Sequence, residues 1–347
     1  LVLILIIPFI LYYIFLSSSN SWTGADWRLS HQNTIIIMHS ALHNYHTLPL
    51  WTSLVDSGMP FFAIPDKPFF YPLTLFLLSF LSPVAVMNYS IIIHMMVAGI
   101  FMYLLTFYLF KDQQTSFVST LIFIIANKIS PPFWFYSTAY IPAIMLSLIL
   151  MFRSRQWFKY SCILGILLSL QILAGGIFIS YYTFIFIIGP FFLYNILASK
   201  RKINCMVKSI LSGVIVLLLF FGFSMIRILP MNEWSSQINR AEGLSVQESM
   251  KTPLGLNNLI STLIFGSEGT YQIGFVGFML LIISFFYIYR LKDKQSLFFY
   301  LLLILNLLFA SGLFYSFFWK YVPGLAQQRG VTRSLFVFVF LSSLLVG

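Results

Sequence analysis

Asp26 is the residue of this chain best placed to do chemistry. It lies in Gly24-Ala25-Asp26-Trp27, directly after an apolar stretch, and precedes Pro49-Leu50-Trp51, Gly58-Met59-Pro60-Phe61 and Phe70-Tyr71-Pro72. A chain that is 59% hydrophobic and only 8% charged must set each carboxylate where water or a partner satisfies it. An aspartate beside a membrane segment is therefore a site candidate. His39, His43 and His46 recur at helical spacing opposite Ile35, Met38, Leu42 and Tyr45, the pattern of an amphipathic helix lying along a membrane surface. Three imidazoles on one face are also a weak zinc candidate, because no carboxylate on the same stretch completes a ligand set. His94, alone in an apolar run, reads as a hydrogen-bonded packing residue ahead of a member of a proton relay.

The elements that must position these residues follow from composition. A mean hydropathy of +0.91, with 39 Phe and 20 basic against 9 acidic residues in 347, excludes a soluble domain and describes an all-α polytopic membrane protein. Ten apolar runs are candidate spans: Leu1 to Leu16, Val84 to Phe110, Ser116 to Ala126, Phe135 to Phe152, Tyr160 to Ala174, Ile177 to Leu197, Ile210 to Leu229, Ile273 to Tyr289, Leu297 to Leu313 and Ser334 to Gly347. A span needs about 20 apolar residues, so the 16-residue first run and the 14-residue last run read as truncated. The first run reads as a retained helix and not as a signal peptide, because no small-residue cleavage site clearly follows it.

Charge sets the orientation, because short cytoplasmic loops collect Lys and Arg. With residues 17–72 outside, alternation places Lys111, Arg153, Arg155, Lys159, Lys200, Arg201, Lys202, Lys208, Arg290, Lys292 and Lys294 inside, accompanied only by Asp112 and Asp293. The net charge of +11 thus reports topology and not nucleic-acid binding. Cys162 and Cys205 fall on the reducing side, where no disulfide is expected. The whole chain, 1–347, reads as one transmembrane domain with three outer segments, 17–72, 230–272 and 314–333. It has no Walker loop and no dinucleotide fingerprint. Energy for any reaction must then arrive in the substrate, and a lipid-phosphate-linked sugar is the obvious donor outside the cytoplasm.

The segments quoted around Asp26 resemble the first outer loop of YfhO-like bacterial membrane glycosyltransferases, members of the GT-C superfamily. The similarity continues at Leu173-Ala174-Gly175-Gly176 with Tyr181-Tyr182. It resumes from Leu229-Pro230 through Arg240-Ala241-Glu242-Gly243-Leu244-Ser245 to Pro253, and again at Val322-Pro323-Gly324 with Arg329 and Arg333. Gly175-Gly176 departs from the family in being followed by Ile-Phe where a small polar stretch is common. The resemblance implies a GT-C-like helical bundle in the bacterial cytoplasmic membrane, with its active site facing outside. It also implies a polyprenyl-phosphate-linked sugar as donor and an envelope polymer or glycolipid as acceptor.

By position, the family's catalytic base maps onto Asp26. Inverting glycosyl transfer needs a carboxylate to take the acceptor's proton, and a low-dielectric cavity raises an aspartate's pKa towards that task. A leaving phosphate needs cations, for which arginine's planar fork is suited. Arg329 and Arg333, one helical turn apart, are the first candidates, followed by Arg227 and Arg240. Trp27, Glu233, Glu268 and Tyr271 are candidates for sugar or acceptor binding. No motif demands a cofactor, and a divalent metal is left open. The runner-up is a secondary transporter or lipid flippase, for which broken or charged spans at the bilayer midplane are the expected mark. A non-catalytic envelope-assembly scaffold is the third reading.

Overall fold

The computed structural model describes residues 2–17, 30–53, 58–127, 132–199, 202–237, 241–250, 256–265, 272–328 and 330–346. Within them the chain is predominantly helical. After α1 (Val2–Ser17) and α2 (Asn33–Asn44) comes a hairpin of β1 (Trp51–Thr52) and β2 (Met59–Pro60). Then follow α3 (Pro72–Leu78), α4 (Pro83–Phe110), α5 (Gln113–Asn127), α6 (Pro132–Thr138), α7 (Ile141–Arg153), α8 (Trp157–Leu173) and α9 (Ile177–Thr183). The remainder is α10 (Gly189–Ala198), α11 (Lys202–Ser235), α12 (Val246–Met250), α13 (Leu256–Phe265), α14 (Gly274–Leu291), α15 (Lys294–Ala310), α16 (Tyr315–Tyr321) and α17 (Leu335–Val346).

Helix predominates because a bilayer offers backbone groups no water, so each must be satisfied within its own segment. Among the described residues the apolar runs are largely helical, but not every helix is a span. Five stretches are long and apolar enough to cross a membrane: Pro83–Phe110, Trp134–Arg153, Ile177–Ala198, Ile203–Ser235 and Gly274–Leu291. Counting Lys294–Ala310 and Tyr315–Tyr321, bent by 93°, as one broken span gives six. Among the described residues, five or six of the ten runs expected as spans thus meet the length a straight crossing needs. The other runs, such as Trp157–Leu173 and Val331–Val346, form helices short of the roughly 20 residues a straight crossing requires.

Two turns use one device. Lys111 (φ 60) and Lys292 (φ 55) take the left-handed conformation just after α4 and α14, the usual way to stop a helix. The aspartate that follows each one caps the next helix. Asp112 accepts from the Thr115 amide at 2.7 Å, a bond that helps hold its carboxyl below the usual range. Asp293 accepts from the Ser296 amide at 3.1 Å. The two carboxylates assigned to the cytoplasmic side are thus accounted for as caps.

The chain divides into two compact units. The first comprises Leu1–Ile100, Pro131–Ser180 and Ser199–Gln237. There α8 packs on α7 and α11, and Gly165 permits the close approach. A Cβ at Gly165 would stand 3.0 Å from the Val216 carbonyl oxygen and 2.9 Å from Leu219 Cβ. The outer segment of this unit is packed and not merely solvated. Ile35 and Met38 of α2 join Phe61, Phe69, Leu77, Leu78, Val86 and Met87 in one buried cluster, so this side of α2 meets protein in place of the expected lipid surface. The second unit comprises Phe101–Ser130, Tyr181–Ala198 and Ile238–Gly347. In it α17 is buried from Leu335 to Leu345 and packs against α5 and α15.

Both units leave large apolar side chains outside. Leu217, Leu218, Phe221 and Phe223 of α11 are exposed, as are Phe275, Val276, Ile283 and Phe286 of α14. Apolar faces of this extent are those of a membrane protein and not of a water-soluble one.

Candidate functional site

In the first unit three interruptions of regular structure meet: the stretch 64–71, the break at Ala139–Tyr140 between α6 and α7, and Ala174–Gly176 between α8 and α9. Pro65 and Pro68 keep the first stretch from becoming helix or strand, which frees its carbonyls. Buried irregular backbone must be satisfied by protein, and Arg227 does this. Its side chain, rising from within α11, is 1% exposed. One amino group donates to the Lys67 carbonyl, and the other donates to the carbonyls of Pro65 at 2.6 Å and Ile64 at 3.2 Å. Both amino groups are thus committed to backbone, which leaves only Nε without an acceptor among the described residues. Arg227 acts here as the clamp of residues 64–67. Breaking such a buried charged contact costs on the order of 3–5 kcal/mol.

The glycines of Leu173-Ala174-Gly175-Gly176 allow the third interruption to close on the others. Gly175 has φ +104, and a Cβ there would stand 3.0 Å from the Asp66 carbonyl oxygen. At Gly176 a Cβ would fall 2.2 Å from Ser137 Cβ and Oγ. Ser137 and Gln171 then tie the two breaks together. The serine hydroxyl donates to the Gln171 carbonyl at 2.9 Å, and the Gln171 amide donates to the Ser137 carbonyl at 3.2 Å.

Around this junction lies a set of buried polar side chains. Lys67, 7% exposed, donates to the Ser30 hydroxyl and pairs with Asp66 at 3.6 Å. His31 is fully buried, with Nε2 3.2 Å from the Tyr136 hydroxyl. Burial first, and then the positive Lys67, hold its pKa down to about 3, so His31 is neutral at ordinary pH. Tyr71 bridges His94 Nε2 at 2.7 Å and the Tyr140 hydroxyl. Burial and the neighbouring Tyr140 push the Tyr71 hydroxyl far above the usual phenol range. His94, read from sequence as solitary, is stacked on Tyr136 at 4.3 Å and bonded through both ring nitrogens.

A second cluster forms in the second unit. The Tyr181 hydroxyl donates to the Pro323 carbonyl at 2.7 Å, and its ring lies 3.4 Å from where a Cβ would stand on Gly324 (φ +83). Trp319 Nε1 donates to the Leu244 carbonyl at 3.2 Å, and the Leu244 amide to the Ala326 carbonyl at 2.8 Å. Arg333, half-buried in the 3-10 turn Val331–Ser334, lies close enough for its charge to act on Tyr182, as do the hydroxyls of Tyr315 and Tyr181. Glu248 is a cap: its carboxylate accepts from the Ser245 amide at 3.0 Å and hydroxyl at 2.7 Å. This is a capping box that the Ser-x-x-Glu spacing already announces.

Asp26, Trp27, Arg240, Glu268, Tyr271 and Arg329 lie outside the described residues. Glu233 is exposed in the last turn of α11. The histidine triplet does not hold its helical register, since α2 ends at Asn44 and His46 has φ 52. His39 and His43 are adjacent, with ring centroids 4.2 Å apart, but His43 Nε2 is engaged with the Leu78 carbonyl at 2.8 Å. Among the described residues no three His, Cys, Asp or Glu side chains stand where they hold a metal ion. Sequence reading missed Lys67, His31, Tyr71, Tyr136 and Tyr140 as site residues. The one local signal was the charged pair in Pro65-Asp66-Lys67-Pro68, inside a chain otherwise poor in charge. Comparison with protein-family profiles, with curated proteins and with solved structures returns no match.

Proposed function

We propose that this membrane protein is a GT-C-type glycosyltransferase related to the YfhO-like family. It would move a sugar from a polyprenyl-phosphate-linked donor to an extracytoplasmic envelope polymer or glycolipid. The observation that supports this reading is the convergence of its short motifs. In the first unit, Trp51 and Thr52 pair with Pro60 and Met59, and Gly175-Gly176 abut Asp66 and Ser137. In the second, Tyr181 bonds Pro323 and Leu244 bonds Ala326. Within each unit, segments far apart in sequence that share the resemblance also share contacts.

In this reading Asp26 takes the proton of the acceptor hydroxyl as that oxygen bonds the anomeric carbon, and the polyprenyl phosphate departs with the electron pair of the broken bond. Ser30, four residues beyond Asp26 in sequence, bonds buried Lys67. Arg333, with Arg329, offers the leaving phosphate its cations. Asp26→Asn keeps the side chain's size but removes the base. In proteoliposomes supplied with a labelled polyprenyl-phosphate sugar, its turnover falls by about 10² or more while donor affinity is retained. Wild-type turnover in that variant would eliminate Asp26 as the base.

A transporter or flippase is the second reading, and a specific observation favours it. Arg227 is a charge buried within a span, and the spans at 139–140 and 310–315 are broken, both marks of that class. Movement of the lipid-linked sugar across sealed vesicles with no glycosylated product would select it.

A further inference from the structure

His94 has both ring nitrogens bonded, and the two bonds fix every proton in the array around it. A carbonyl only accepts, so Nδ1, 2.5 Å from the Ser90 carbonyl oxygen, carries a proton. In the neutral ring Nε2 is then bare, and the Tyr71 hydroxyl 2.7 Å away donates to it. Tyr71 has a single proton, so in its bond with Tyr140 it accepts and Tyr140 donates. The chain runs one way, from Tyr140 to Tyr71 to His94 to Ser90. Beyond the array Tyr140 presents only lone pairs. It does so as the N-cap residue of α7, at the break in the Trp134–Arg153 span.

From this directionality we infer that the array is a proton-binding relay whose outer end changes from acceptor to donor when His94 becomes charged. A proton arriving on the Tyr140 oxygen lets Tyr140 pass its own proton to Tyr71, and Tyr71 its own to His94 Nε2. Each O–H bond broken is replaced by one formed, no electrons leave, and the charge ends on an imidazolium that still donates to Ser90. The two bonds outward of the ring are then reversed, while Nδ1 still donates to Ser90. Nε2 donates to Tyr71, Tyr71 to Tyr140, and the Tyr140 O–H points beyond the array. A polar ligand at the break would meet a hydrogen-bond acceptor in the neutral state and a donor in the charged one. The titratable groups that face His94 are Tyr71, Tyr136 and Tyr140. Beyond Tyr136 stand His31 and, acting on it, Lys67. Asp66 and Arg227 complete the nearby charges.

Tyr136 provides the control, because it stacks on the imidazole without a hydrogen bond to either ring nitrogen. The test is ¹⁵N NMR of the full chain, labelled at histidine, in detergent micelles. At alkaline pH the His94 signals show the neutral tautomer with its proton on Nδ1. Where acidification gives the ring its second proton, exchange of that proton is slower by about tenfold or more in Tyr71→Phe and Tyr140→Phe. Tyr136→Phe exchanges at the wild-type rate. A neutral tautomer protonated on Nε2 would overturn the relay without any variant being needed. So would equal slowing in Tyr136→Phe, or none in Tyr71→Phe. The relay stands apart from the transferase reading, and Asp26→Asn leaves the His94 tautomer unchanged.

Discussion

His31 shows how burial of a single side chain becomes a pH dependence. Its folded pKa of about 3 lies below the ordinary value of 6.5, so between those limits the unfolded chain binds the extra proton. Stability therefore rises with pH across that window, is complete above about 6.5, and is lost as pH falls towards 3. Thermal unfolding of the purified protein in detergent, measured at several pH values, should show this acid loss, of the order of a few kcal/mol. His31→Gln, which keeps a hydrogen-bonding amide without a titration in this range, should lose less. Identical acid slopes would show that His31 is not held neutral. Arg227 illustrates the complementary case, a buried charge held by three carbonyls of 64–67.

At the scale of elements, the site depends on where helices stop. The α8–α9 break is set by two glycines with different tasks: Gly175 supplies a positive φ, and Gly176 supplies room against Ser137. Gly175→Ala and Gly176→Ala should each lower stability by about 1–3 kcal/mol, the usual range for overpacking and backbone strain. Gly213 and Gly222 on α11 give the opposite sign, because no atom lies within 4 Å of an added Cβ. Gly213→Ala and Gly222→Ala should raise stability by about 0.5–1 kcal/mol through helix propensity alone. Unfolding midpoints of the four variants, compared side by side, check this. Uniform destabilisation would mean that α11 meets a partner at its glycines.

For the whole molecule, orientation follows from the distribution of positive charge. Cys205 lies among Lys200, Arg201, Lys202 and Lys208 near the start of α11, and is partly exposed. A membrane-impermeant thiol reagent should leave it unlabelled in intact cells and label it after lysis. Labelling before lysis would invert the topology and turn Asp26 towards the cytoplasm. Nucleotide-linked sugars, and not lipid-linked ones, would then be the natural donors.

The sequence by itself determined the class of the molecule and the positions of its long apolar helices. Hydropathy fixes helix wherever backbone must live without water. Tertiary structure decided where the helices break, at 139–140, 174–176 and 310–315, which hydropathy does not register. It also decided which polar residues meet. Lys67 with Ser30, Arg227 with 64–67 and Tyr71 with His94 and Tyr140 are joined across 23 to 163 positions. No local periodicity encodes such pairs. They form because buried polar groups in an apolar bundle have only one another to bond.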